Sequence, residues 1–152
     1  MTTAAVETLI QQVKPIVESA GVFGPVSIRE GQLVCAARDA AAPASYRLLA
    51  DGGQVWVSLV MADRWLSESI EADLMHTGDH VEDLLEEELV DLGAPVTRLK
   101  VEHFRSDDLL FTFRSPLPPD QGGDQAHGAA TFLLAYEACF RNLGDMGDSG
   151  EE

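Results

Sequence analysis

Between Trp65 and Leu92 the chain places ten carboxylates and no Lys or Arg. Such a cluster suits three kinds of chemistry: acid–base catalysis by paired carboxyls, cation binding, or attraction of a basic partner. Acid–base work needs one carboxyl in an apolar pocket that raises its pKa. A run such as Glu86-Glu87-Glu88 reads more simply as a solvated helix face. For a cation, His76 and His80 form an HxxxH pair beside Asp79 and Glu82. That spacing ligates zinc when both imidazoles share one helix face. Gly78 and a helix start at Asp79 fall between the two and break the face. The chain has no HExxH, CxxC or EF-hand loop, so no metal or other cofactor is expected. Basic partners remain, with Glu82, Glu86 and Glu87 as the residues expected to meet them.

Nucleophiles give a weaker signal. Ser67 and Ser69 lack a GxSxG turn, and His103 beside Glu102 reads as a surface pair. No glycine-rich loop leads into a Lys-Ser or Lys-Thr dipeptide, so a phosphate-cradling loop is excluded. Cys35 and Cys139 lie in apolar surroundings and read as two buried thiols. No catalytic set emerges, and the expectation is a protein that is not an enzyme. Trp56 and Trp65 are the aromatic candidates for partner contact, because an exposed Trp couples a large apolar area to a polar N–H.

The bulk composition agrees with a folded domain. A chain of 152 residues that is 45% hydrophobic and 24% charged can build one core unaided. Its formal net charge is −16. Residues 1–64 hold six acids and five bases, so the imbalance is concentrated further along. A surface this acidic repels phosphate backbones and anionic bilayers, which argues against nucleic acid and membrane partners. The first residues lack a basic n-region and an apolar h-region, and no apolar run approaches bilayer length. The expected location is cytoplasmic.

The elements that must position these residues follow from periodicity. Val6, Leu9, Ile10, Val13, Ile16, Val17 and Ala20 recur at helical spacing, with Thr3 as a cap, Pro15 as an expected kink and Gly21 as a stop. Residues 25–29 and 32–36 flank Glu30-Gly31 as a hairpin, and residues 45–50 and 54–61 flank Asp51-Gly52-Gly53. Residues 64–75 fit a helix or a strand, and the break at His76-Thr77-Gly78 tips the reading to strand. Asp79 with Glu82 three residues later marks the start of an acidic helix that Gly93 and Pro95 end at residue 92. Its inner face is Val81, Leu84, Leu85, Leu89 and Leu92. A hairpin follows over 96–104 and 109–114, then a Pro/Gly-rich loop over 116–128. The last helix, 129–143, is apolar on more than one side, so it is either buried or shared with a second copy. Phe132, Tyr136 and Phe140 form the row expected at a homodimer interface. The domain is set at 1–144, with an acidic tail over 145–152.

In this order of elements, α-β-β-β-α-β-β-α, the chain resembles the type III secretion chaperone-like fold and its YbjN-like domains. The residues carrying the resemblance are the helix 6–20, the meander ending in 54–74, the helix 79–92, the hairpin 96–114, and the Leu117-Pro118-Pro119 lead into 129–143. The resemblance implies an α+β protein, a twisted antiparallel sheet with packed helices. It further implies a homodimer that binds segments of other proteins, as a chaperone or adaptor does, without catalysis. The alternative is a small-molecule binder or enzyme with its site under the 116–128 loop, where Asp120, Asp124 and His127 lie.

Overall fold

The computed structural model describes residues 3–38, 42–77, 80–93, 100–105, 110–117, 125–141, 143 and 146. The first helix, α1 (Thr3–Ala20), buries Val6, Leu9, Ile10, Val13 and Val17 on one side. Burial keeps the same register on both sides of Pro15, and the helix is continuous through it. Pro15 faces outward, where the hydrogen bond it forfeits leaves a carbonyl to solvent. Gly21 ends the helix at φ +73°, a conformation that costs glycine little.

Two tight hairpins follow. β1 (Val26–Arg29) and β2 (Gln32–Ala36) are joined by Glu30 and Gly31, both at positive φ (51° and 76°). β3 (Ala44–Asp51) and β4 (Gln54–Met61) are joined by Gly52 and Gly53, again both positive (62° and 79°). Two consecutive positive φ values make the turn whose twist matches that of paired strands.

Residues 64–77 are helical, forming α2 (Arg64–Thr77), which overturns the strand expected there. The cause is a cap that the strand reading ignored: Asp63 Oδ1 accepts a hydrogen bond from the Leu66 backbone N–H at 2.9 Å. Leu66 and Ile70, four apart, then enter the core, while half-buried Glu68 pairs with exposed Arg64 outside it. Next comes α3 (Val81–Asp91), with His80 at its N-cap and no side-chain cap bond. The expected cap Asp79 lies outside the described residues. Leu85 and Leu89 are the buried positions of α3, and Gly93 closes it at φ +80°.

The second half adds β5 (Glu102–Arg105) and β6 (Phe111–Pro116). The expected strand start at 96–99 and the turn at 106–108 lie outside the described residues. β6, not β5, pairs with β4, giving one antiparallel six-stranded sheet in the order β1-β2-β3-β4-β6-β5. The fold is therefore α+β. The last helix, α4 (Gln125–Phe140), begins four residues earlier than expected and takes Gly128 into its first turn.

The four helices among the described residues pack on one face of the sheet. That face carries Leu33 and Cys35, Tyr46 and Leu48, Val57 and Leu59, and Phe113, all in the core. α4 runs through the middle of the helical layer, touching α1, α3, β3 and β4. Its Phe132, Tyr136 and Phe140 are buried within this single chain. Covered by their own sheet and helices, they are core residues and cannot form the dimer interface expected of them. Of the two readings of this helix, burial wins, because its apolar residues face neighbours on several sides at once.

The opposite face of the sheet has no helix over it among the described residues. Strand register sets a row across all six strands there: Ser27, Val34, Arg47, Ser58, Arg114 and Glu102. Trp56 lies one row away.

Candidate functional site

Among the described residues, a serine, a histidine and a carboxylate converge at the seam between α2 and β5. Ser67 and Glu71 stand one turn apart on α2, on the side that meets the sheet. His103 lies on β5, opposite Phe113 of β6. Its ring stacks on the Phe113 ring, with centroids 3.8 Å apart and planes 8° from parallel. That stack fixes the imidazole plane. His103 Nδ1 then lies 2.8 Å from Glu71 Oε2, and His103 Nε2 lies 3.3 Å from Ser67 Oγ.

The tautomer follows from this geometry. An ionised carboxylate only accepts, so Nδ1 carries the proton and donates it to Glu71. In a neutral ring Nε2 then has a lone pair that accepts from the Ser67 hydroxyl. Burial lowers the His103 pKa below the usual 6.5, and the Glu71 carboxylate opposes part of that shift. The ring is therefore mostly neutral near pH 7.

Ser67 and Glu71 also line an open cleft of about 420 Å³, together with Arg64, Glu68, Arg105 and Phe111. Arg64 Nε donates to Glu68 Oε2 at 2.9 Å across one helical turn. The cleft lies at the Phe111 end of β6, whereas the 116–128 loop leaves from the Pro116 end. Residues 118–124 of that loop, Asp120 and Asp124 among them, fall outside the described residues. His127 is exposed in the first turn of α4.

The residues expected to bind a partner divide among three places. Trp65 opens α2 and is 75% exposed. Met75 sits ten residues further on, 83% exposed. Steps of three, four and three residues link exposed Trp65, half-buried Glu68, and exposed Ala72 and Met75 into one stripe along α2. Glu82, Glu86 and Glu87 are on α3. Glu87 is exposed, whereas Glu82 is half-buried and accepts a bond from the Val101 backbone N–H at 3.4 Å. Trp56 is elsewhere, on the uncovered sheet face. The Arg114 guanidinium lies 3.8 Å from its ring centroid, and its Nε1–H donates to the Asp51 carbonyl at 3.1 Å. Five strand positions separate Trp56 from the end of β4, roughly 16 Å of chain, so the two tryptophans do not form one site.

His76 is in the last turn of α2 and His80 precedes α3, so the HxxxH pair straddles two helices. Among the described residues no three His, Cys, Asp or Glu side chains stand close enough to hold a metal ion. Cys35 and Cys139 are buried free thiols. Burial, with Glu18 near Cys35 and Glu88 and Glu87 near Cys139, pushes each thiol up to about 12. Thiols so raised stay protonated at neutral pH and are poor nucleophiles.

The Ser67–His103–Glu71 set escaped the sequence reading because of α2. Four residues span about 13 Å along a strand but only about 6 Å along a helix. Read as a strand, Ser67 and Glu71 are too far apart to serve one imidazole. One signal was present: His103 shares the period-two phase of Val101, which packs against the core.

Compared with protein-family models, with curated proteins and with solved structures, the chain finds no match in any of the three. Among the described residues no helix is long and apolar enough to cross a membrane.

Proposed function

We propose that this is a protein-binding domain of the chaperone or adaptor type, of the YbjN-like kind, that holds a basic amphipathic segment of another protein against α2 and α3. The observation that carries this reading is the stripe on α2: Trp65 and Met75 are 75% and 83% exposed. The stripe lies in a stretch, 65–92, with ten carboxylates and no cation. Burying an exposed Trp on a partner removes about 150–250 Å² of aromatic surface from water. The surrounding carboxylates, Glu87 among them, add attraction for Lys and Arg and repel acidic competitors. Trp65 is the anchor, and the acids supply selection.

Calorimetry with two helical peptides tests it, one patterned with Lys and Leu, the other with Glu and Leu at the same positions. The Lys/Leu peptide binds, its affinity falls with added salt, and Trp65→Ala weakens it by about tenfold or more, as for an interface hot spot. Equal binding of both peptides, or an unchanged affinity in Trp65→Ala, overturns the reading.

A further inference from the structure

We propose that Ser67, His103 and Glu71 form an acyl-transfer site that hydrolyses short esters bearing an anionic group, a function separate from partner binding. The order of atoms is that of a nucleophile, a base and an orienting carboxylate: Ser67 Oγ to His103 Nε2 at 3.3 Å, and His103 Nδ1 to Glu71 Oε2 at 2.8 Å. Such a set is recognised by geometry and roles rather than by position in the sequence. Three chain segments build it: α2 supplies two members, β5 the third, and the Phe113 ring of β6 holds the imidazole plane.

The surroundings select the substrate. Ser67 is only 2% exposed and borders the cleft, so the site admits a slender acyl carbonyl and not a bulky one. The cleft, about 420 Å³, lies at the small end of the roughly 300–1,000 Å³ range of ligand pockets. Arg64 and Arg105 line it with Phe111. Two carboxylates line it as well, but Glu68 is paired to Arg64 and Glu71 to His103. The Arg105 guanidinium then favours an anionic substituent on the substrate and stabilises negative charge developing on the carbonyl oxygen.

The chemistry balances without any further reagent. Ser67 Oγ attacks the ester carbonyl and forms an O–C bond while its proton passes to His103 Nε2. The bond to the leaving alkoxide breaks, and Nε2 returns that proton to the departing oxygen. Water then attacks the acyl group on Ser67, giving its proton to Nε2. The acyl–Oγ bond breaks, the carboxylic acid leaves, and Ser67 recovers its hydroxyl. Glu71 stays ionised throughout as the positioning residue, accepting from Nδ1–H and favouring the imidazolium formed in each step. Of the charged groups, Glu71 of α2 touches the ring, Arg64 and Glu68 of α2 and Arg105 of β5 line the adjoining cleft, and Glu82 of α3 is bonded to Val101 just before β5.

The test uses the full chain, an alkyl fluorophosphonate, and the 4-nitrophenyl esters of acetic and succinic acid. One fluorophosphonate adduct forms, on Ser67 by peptide mass mapping, and it is absent from Ser67→Ala. The succinate half-ester turns over about tenfold faster than the acetate. His103→Gln lowers both labelling and turnover by about a hundredfold or more, as loss of a general base does. Labelling by the intact chain rises with pH as His103 loses its proton, and Glu71→Gln moves that midpoint lower. His103 and Glu71 are part-exposed, so their variants carry the test should Ser67→Ala fail to fold. A folded protein with no Ser67 adduct overturns the proposal, as does labelling indifferent to His103→Gln. Acetate and succinate turned over equally would overturn the anionic substrate class.

Discussion

The hydroxyls of Ser115 and Tyr136 meet 2.6 Å apart in the buried core, tying β6 to α4. Both side chains are fully buried, so each hydroxyl depends on the other for its hydrogen bond. Removing one partner strands the other away from water, which costs about 1–3 kcal/mol, whereas removing both is milder. Tyr136→Phe is therefore expected to lower unfolding stability by that amount. The double variant Tyr136→Phe with Ser115→Ala should recover part of it. Urea denaturation of the four proteins in the cycle measures the coupling.

Asp63 decides the local fate of residues 64–77. Its carboxylate takes the Leu66 N–H at 2.9 Å, so Asp63→Ala should cost about 0.5–2 kcal/mol. Because α2 carries Ser67 and Glu71, the loss should also loosen the bond to His103. Chemical denaturation reads the first effect, and the His103 ring resonances in NMR read the second.

The His103 pKa is held below 6.5 by burial, against the pull of Glu71. Removing the pull should lower it further: in Glu71→Gln the NMR titration midpoint of His103 moves down from its value in the parent protein. The sign for stability follows. A folded state that disfavours the charged imidazole binds fewer protons than the unfolded chain. Above the unfolded value of 6.5 both states are neutral at this site and His103 contributes no penalty. As pH falls through 6.5 toward the folded midpoint, stability declines, and it levels off below that midpoint. Thermal unfolding across this window shows a shallower decline in His103→Gln.

Arg114 organises the uncovered sheet face. Its Nε donates to Glu102 at 3.0 Å, its Nη1 donates to Asp51 at 3.1 Å, and the guanidinium covers Trp56. Arg114→Ala removes the stacking and the ion pairs together, with an expected loss of about 1–2 kcal/mol. Trp56 should become more exposed to solvent. Denaturation gives the energy, and fluorescence in a Trp65→Phe background isolates the Trp56 signal.

Much of the architecture is local enough to read from the chain. Turn chemistry at Glu30-Gly31 and Gly52-Gly53 predicts two hairpins, and both are present with paired positive φ values. The inner face of α1 is legible as helical spacing: Val6, Leu9, Ile10, Val13 and Val17 are buried and Ile16 half-buried, while Ala20, also read as inward, is exposed at the helix end. Residues 64–75 were misread because short apolar spacing suits either period, and the Asp63 cap that breaks the tie also suits the turn that ends a strand. The role of α4 was half legible: a helix apolar on several sides must be covered, but periodicity alone does not say by what.

The sequence alone determined the α+β class, the two tight hairpins, the acidic stretch and its buried Leu85 and Leu89, because each depends on neighbours within a few turns of chain; Leu92, read on the same inner face, is exposed past the end of α3. Tertiary structure decided what faces what. It put Phe132, Tyr136 and Phe140 inside and left Trp65 and Met75 outside. It also inserted β6 between β4 and β5, which brings His103 to Ser67 and Glu71, 36 and 32 positions away. Such contacts depend on strand order and helix placement, which result from burying the whole core at once and leave no local periodic trace.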